Sequence, residues 1–158
     1  MFTYSHSTNR FVFSFLVMEV KPPAIIPNPM TIENLTLLDY SYDTTEFVLV
    51  ALPKLKTIVI GPNSFGITRI FQLENLKELR SVVIGSNSFI ANGLQGTMHI
   101  VNCNSLASIR FNDGSFAGYQ SIELRGLPSL VSIVMGDDAF VNCRSIVIES
   151  RSECEVIN

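Results

Sequence analysis

The sequence is poor in the residue types that carry most metal and nucleophilic chemistry. Its 158 residues include three Cys, two His and no Trp. Three cysteines are too few for the framework of a disulfide-rich miniprotein, and an odd number leaves at least one thiol unpaired within the chain. No C-x-x-C or H-x-x-x-H spacing occurs, which removes the usual zinc patterns. We therefore predict no metal, no cofactor and no catalytic residue.

Charge of one sign and long apolar runs are also lacking. The 11 basic and 14 acidic residues give a net charge of -3 without a long basic run, so nucleic acid and anionic membrane surfaces are not predicted partners. The run Phe11–Met18 has eight residues, whereas a membrane-spanning helix needs about 20. Hydrophobic residues still make up 47% of the chain, which is enough for a core and argues against disorder.

The first thirty residues are expected to precede the organised domain. Phe11–Met18 predicts a strand-like segment that pairs with the first coil or belongs to an upstream part, and a secretory signal peptide is the alternative. Four prolines in Lys21–Pro29 indicate an extended linker. We predict a leader and linker over residues 1–29, poorly ordered or strand-like, a solenoid over 30–150 and a tail over 151–158.

An internal repeat dominates the rest of the sequence. Four segments align without gaps and end in Phe65, Phe89, Phe116 and Phe140, which lie 24, 27 and 24 positions apart. A fainter copy precedes them, with Ile32, Leu35, Leu37, Ser41 and Tyr42 at the matching offsets. Self-similarity at this period is typical of solenoids, so the sequence predicts about five coils.

Each coil carries two short stretches of alternating apolar residues, which indicate half-buried strands. The first pairs are Leu35/Leu37, Ile58/Ile60, Val82/Ile84, Ile109/Phe111 and Ile133/Met135. The second pairs are Phe47/Leu49, Phe71/Leu73, Met98/Ile100, Ile122/Leu124 and Ile146/Ile148. The prediction is a mainly β fold with two short strands per coil and little helix.

Turn residues and aromatic residues recur at fixed places in the coil. The extra three residues of the 27-residue coil fall within Ile90–Thr97, where Asn and Gly favour turns. A positive-φ corner is expected directly after the first strand, at Gly61, Gly85, Asn112 and Gly136. A stacked ladder that fills the space between the strand layers is expected for Phe65, Phe89, Phe116 and Phe140.

The pattern L-x-x-L-x-x-I-x-I-G-x-x-S-F resembles leucine-rich repeats of the BspA-like type. The matching segments are Ser105–Ile109 (SLASI), Ser129–Ile133 (SLVSI) and Asp138–Cys143 (DAFVNC), and the resemblance covers about Pro29 to Ser150. It implies an extended, right-handed solenoid that recognises other macromolecules, as in surface and secreted proteins of bacteria and microbial eukaryotes. The asparagine ladder of L-x-x-L-x-L-x-x-N repeats is missing, and no convex helices are predicted.

The residues that alternate with the inward pairs of the first strand form the candidate partner-binding face. This column contains Thr36, Val59, Val83, Arg110 and Val134, and it is flanked by Lys56, Arg80, Ala107 and Val131. Strand propensity alone also favours Val at such positions. An exposed apolar stripe beside an Arg is nevertheless typical of interfaces, so we predict that a protein partner of unknown identity binds here, with Arg110 as a polar anchor.

Other candidate chemistry is explained by the repeat. Cys103 takes a Leu position and is expected to be buried. A Ser-His-acid site would need His99 to face Glu123 with Ser121 nearby, whereas the repeat accounts for these residues without catalysis. A Cys143–Cys154 bridge is left open.

We therefore expect a non-catalytic protein–protein recognition module. One alternative is a structural or surface repeat segment that self-associates through uncapped ends, because no amphipathic helix follows Ile148. Another is a fragment of a longer repeat protein without independent function.

Overall fold

The chain folds as a β-solenoid. The structure, a computed structural model, describes residues 10–13, 31–38, 44–149 and 155–157. In chain order the strands are β1 Arg10–Phe13, β2 Asn34–Leu37, β3 Glu46–Val50, β4 Thr57–Ile60, β5 Ile70–Glu74, β6 Ser81–Ile84, β7 Gly96–Val101, β8 Ser108–Phe111, β9 Tyr119–Arg125, β10 Ser132–Met135, β11 Ser145–Glu149 and β12 Glu155–Ile157. The helical content of these ranges is one 3₁₀ turn, Ala91–Gly93.

Successive strands alternate between two parallel sheets. The odd-strand sheet has the order β1-β3-β5-β7-β9-β11, and the even-strand sheet has the order β12-β10-β8-β6-β4-β2. The prediction of a mainly β solenoid of about five turns with little helix is confirmed. The strand count differs from the ten expected for five two-strand coils, because β1 extends the odd-strand sheet and β12 extends the even-strand sheet.

The sheets stack equivalent repeat positions on one another. Ile58 in β4 lies opposite Leu35 in β2 and Val82 in β6, and Phe71 in β5 lies opposite Phe47 and Met98. All six of these side chains are buried. A one-residue slip would turn the apolar set to the outside, so the repeated period-two pattern fixes the register. The core therefore lies between the two sheets.

Ser41 and Tyr42 of the faint first copy fall outside the described residues.

A column of aromatic rings fills the core. The rings of Phe65, Phe89, Phe116 and Phe140 stack nearly parallel, with centroids 4.7, 5.0 and 4.9 Å apart in turn. Phe71 meets the Phe89 and Phe116 rings edge-on at 5.0 and 5.2 Å. Edge-on and stacked pairs at these separations are favourable beyond the area they bury, so the column ties neighbouring turns together.

Buried serines precede Phe65, Phe89 and Phe116, and their hydroxyls bond to backbone carbonyls. The Ser88 hydroxyl donates to the Gly61 carbonyl at 2.8 Å and accepts from the Ser64 amide at 3.1 Å. The Ser115 hydroxyl donates to the Asn112 carbonyl at 2.6 Å. A buried hydroxyl is costly unless it is hydrogen-bonded, and these bonds explain why Ser stands before Phe in the repeat.

The expectation of a positive-φ corner at Gly61, Gly85, Asn112 and Gly136 is wrong. Positive φ occurs two residues later, at Asn63, Asn87, Gly114 and Asp138, and again at each stacked Phe. Glycine follows the first strand because successive turns approach closely there. A Cβ added to Gly85 would lie 2.4 Å from the carbonyl carbon of Gly61, and one added to Gly136 would lie 2.6 Å from the amide nitrogen of Asp113.

The three-residue insertion lies between β6 and β7. It forms the 3₁₀ turn, with Asn92 and Gly93 at φ of 39° and 80°. After it, Gly96 leaves room for the ring of Tyr119 from the next turn, which a Cβ would approach to 2.5 Å. The buried Tyr119 hydroxyl donates to the Thr68 carbonyl at 3.0 Å, and burial raises the pKa of this phenol. Tyr119 therefore packs against Gly96, at the end of the insertion, and its hydroxyl bonds to Thr68 on the other side of the insertion in sequence.

Candidate partner-binding face

The outward side of the even-strand sheet presents one residue from each turn in a single column. Pairing along the sheet aligns Val59 with Val83, Val83 with Arg110, and Arg110 with Val134. The three valines are half-buried and Arg110 is exposed, because their neighbours in each strand take the inward positions. The structure thus brings the four candidate residues together on one surface. We call the outward side of β4, β6, β8 and β10 the even face.

A second column of small hydroxyl residues runs beside the valines. Ser108 lies opposite both Ser81 and Ser132, and Thr57 begins the column in β4. The Thr57 hydroxyl donates to Asn34 Oδ1 at 2.6 Å, whereas the three serine hydroxyls make no side-chain hydrogen bond within the described ranges. Sequence analysis did not assign these serines to the face, although the recurrent Ser before the inward Ile was a usable signal.

Three cations in or directly before the strands of the even face differ in whether they have a partner. Lys56 Nζ lies 2.8 Å from Glu33 Oε2, and this hydrogen bond and charge lower the pKa of Glu33. Arg80 and Arg110 are exposed and have no ion pair among residues 31–38, 44–149 and 155–157. The strands β2, β4, β6, β8 and β10 contain no Asp or Glu, while β12 at the edge of the same sheet begins with Glu155. The two guanidinium groups are therefore left to solvent or to a partner.

Four outward charged side chains of the odd-strand sheet, His99, Glu123, Arg125 and Glu149, pair with one another. His99 Nδ1 lies 2.9 Å from Glu123 Oε2. Arg125 donates from Nε to Glu123 and from Nη1 to Glu149. Hydrogen bonds from His99 and Arg125 lower the pKa of Glu123, and the two carboxylates raise the pKa of Arg125. These four groups are paired, whereas Arg69 and Arg144, which directly precede β5 and β11, are exposed without an ion pair in the described part of the chain.

The structure brings together two members of the hypothetical Ser-His-acid site. His99 faces Glu123, but Ser121 lies opposite Thr97 and not opposite His99. Within the described part of the chain, no serine hydroxyl is hydrogen-bonded to the His99 ring. The arrangement therefore supplies an acid–imidazole pair without a bonded hydroxyl nucleophile.

The cysteines lie away from the even face. Cys103 is fully buried at its Leu position, and desolvation raises the pKa of its thiol to about 11. Cys143 is half-buried, with Sγ 3.3 Å from the Ser145 carbonyl oxygen, and both are free thiols. Cys154 lies outside the described residues, and so does the bridge considered for it.

The last turn exposes apolar side chains that earlier turns bury. Ile146 and Ile148 in β11 are 54% and 37% exposed, and Val156 in β12 is 49% exposed. Their partners in register, Ile122, Leu124 and Ile133, are buried. The difference arises because each earlier turn is covered by the turn that follows it.

No protein-family model matches the chain, and neither a curated protein nor a solved structure matches it. In the ranges that the structure describes, no helix is long and apolar enough to cross a membrane. The same ranges contain no group of three or more His, Cys, Asp or Glu side chains placed to hold a metal ion.

Proposed function

We propose that the chain is a non-catalytic protein-recognition module that binds its partner on the even face. The observation that carries this proposal is a single column in which half-exposed Val59, Val83 and Val134 accompany Arg110, whose guanidinium has no ion pair in the described part of the chain. Apolar side chains around an Arg anchor are enriched where proteins bind each other. A hydrogen-bonded parallel sheet also holds the backbone of these groups in place, so binding costs little ordering of the face.

The same proposal includes the repeat class, a leucine-rich repeat of the BspA-like type. Its support is the burial of the two Leu positions in four successive turns, namely Leu52, Leu55, Leu76, Leu79, Cys103, Leu106, Leu127 and Leu130. The recognition function that this resemblance implies agrees with an open strand face.

Peptides selected from a random library displayed on phage, with the whole chain as bait, provide the test. Each selected peptide is measured by fluorescence anisotropy against the parent, Arg110→Glu and Arg144→Glu. Arg144 is an exposed arginine beside the odd-strand sheet, so its variant makes the same charge change elsewhere. We expect Arg110→Glu to lose binding with unchanged circular dichroism, and Arg144→Glu to keep it. Peptides that bind Arg110→Glu as tightly as the parent would overturn the proposal.

A second candidate function is self-association, which the exposed Ile146, Ile148 and Val156 favour. Light scattering over a range of concentrations should then show mass increasing for the parent. Ile146→Glu should remain monomeric, whereas Leu94→Glu, which alters an exposed apolar residue in the insertion, should behave as the parent does. A parent that stays monomeric at high concentration would exclude this candidate.

A further inference from the structure

We infer that the partner of the even face is an extended protein segment that presents carboxylates on either side of an apolar side chain. This inference rests on the proposed recognition function and specifies the chemistry of its partner.

The charge distribution is the first argument. Arg80 and Arg110 are exposed without an ion pair in the described part of the chain, although the chain as a whole has a net charge of -3. Carboxylates are available on the odd-strand sheet, where Arg125 already binds Glu123 and Glu149. The even face has none in β4, β6, β8 or β10, and Glu155 begins β12 at the edge of the same sheet. A partner that brings carboxylates to the guanidiniums of Arg80 and Arg110 forms charge-assisted hydrogen bonds next to the valine column.

The spacing of the groups is the second argument. Arg80 precedes β6 and stands three residues before Val83, and Arg110 lies opposite Val83 in β8. With about 3.3 Å per residue along a strand and about 4.8 Å between strands, the two arginine Cα atoms are about 11 Å apart. In an extended segment, residues i, i+2 and i+4 point to one side and span about 13 Å. Two flexible arginines can reach carboxylates at i and i+4, which places the i+2 side chain between Ser81 and Ser108, next to Val83.

The uncharged groups of the patch favour a protein over a nucleic acid. Val83 is half-buried and offers apolar contact, which a phosphate backbone cannot use. Ser81 and Ser108 lie opposite each other on this face, and their hydroxyls make no side-chain hydrogen bond to any described residue, so they can pair with peptide amides and carbonyls. Two arginines also give a far smaller phosphate footprint than nucleic-acid binding needs.

The test uses a labelled decapeptide made of two Glu-Ser-Val-Ser-Glu units and two matched peptides with Gln or Lys in place of Glu. Binding to the whole chain is measured by fluorescence anisotropy at low and high salt. We expect the Glu peptide to bind most tightly and to weaken with salt. The variant Arg80→Gln/Arg110→Gln should bind the Glu peptide about fivefold more weakly, because two exposed ion pairs are lost. The control Arg69→Gln/Arg144→Gln makes the same charge change at exposed arginines beside the odd-strand sheet and should leave this affinity unchanged.

Other outcomes separate this inference from the proposed function. Equal affinity for the Gln peptide, or tighter binding of the Lys peptide, would overturn the carboxylate requirement while library peptides could still map to the even face. The carboxylate requirement would also be overturned if the Glu peptide failed to bind while library peptides bound the parent and not Arg110→Glu. A single-stranded oligonucleotide that competes as well as the Glu peptide would overturn the choice of a protein segment. Library peptides insensitive to Arg110→Glu would instead remove the proposed function itself.

Discussion

Replacing Phe116 by Ala tests whether the stacked rings hold the solenoid together. The buried Phe116 ring stacks on Phe89 at 5.0 Å and on Phe140 at 4.9 Å. Three further rings meet it edge-on, those of Phe71, Phe111 and Tyr119. A buried Phe→Ala change costs about 3–5 kcal/mol, and rigid turns on both sides prevent the cavity from closing. We expect the upper part of this range, which corresponds to a Tm lower by about 12 °C in thermal circular dichroism.

The end of the ring column provides the control. The Phe140 ring is slightly exposed and contacts only the rings of Phe111 and Phe116 among the described aromatic residues. Phe140→Ala should therefore lower Tm by about half as much as Phe116→Ala. An unchanged Tm for Phe116→Ala, or a larger loss for Phe140→Ala, would refute the role of the ring column.

The backbone at Phe116 allows a second comparison at the same site. Its φ is 55°, a left-handed conformation that costs an L-residue about 1–2 kcal/mol and glycine almost nothing. The additional flexibility of glycine in the unfolded chain and the loss of a buried Cβ, about 0.8 kcal/mol, offset this difference. Phe116→Gly and Phe116→Ala should therefore differ by less than about 1 kcal/mol in urea unfolding, and a glycine variant less stable than the alanine variant by more than this would contradict the backbone argument.

Three further predictions concern other parts of the chain. Gly85→Ala should lower the free energy of unfolding by about 1–3 kcal/mol, because its Cβ would lie 2.4 Å from the backbone of the preceding turn. Gly66→Ala, where a Cβ meets nothing within 4 Å, should change it by less than about 0.5 kcal/mol, and equal effects would refute the close approach. NMR titration should place the pKa of Glu123 below its usual value, since hydrogen bonds from His99 and a guanidinium stabilise its carboxylate. The ionised Glu123 carboxylate therefore stabilises the fold above the unfolded-state pKa, and this stabilisation is lost as pH falls through the lower folded-state pKa. His99→Ala should raise the folded-state pKa of Glu123, and an unchanged value would contradict the pairing. Iodoacetamide at pH 8 should modify Cys103 only after unfolding, as read by mass spectrometry, because its thiol is buried with a pKa of about 11; modification of the folded chain would show that the site opens.

The two-sheet architecture could be predicted because one physical signal was repeated in every turn. Inward residues such as Ile58 and Val82 recur with period two at a fixed offset from each Phe, and only one register buries them all. The twelfth strand was not predicted, since Glu155–Ile157 is three residues long and carries no repeat pattern of its own.

Local conformation was less accessible than strand position. A glycine such as Gly85 is compatible with either positive φ or close backbone approach, and only the position of the neighbouring turn decides between them. Phe89 adopts positive φ against the usual preference of a bulky residue. Its ring stacks at 4.7 Å on Phe65 and at 5.0 Å on Phe116, so tertiary packing outweighs local propensity there.

Part of the candidate site could likewise be read from the sequence. The outward valine column follows from alternation, but the pairing of charges depends on which residues meet across turns. His99 faces Glu123 in the neighbouring turn, while Arg110 lies opposite Val83 and Val134 and has no ion pair in the described part of the chain. Which charged residues are paired therefore emerges only from the three-dimensional structure.

Amide NMR titration of the whole chain with the Glu-Ser-Val-Ser-Glu decapeptide tests recognition at the even face most directly. We predict that the perturbed amides cluster in β4, β6, β8 and β10, with the largest shifts around Val83 and Arg110. Shifts concentrated in β5, β7 and β9 of the odd-strand sheet, or no shifts at saturating peptide, would contradict recognition of such a segment on this face.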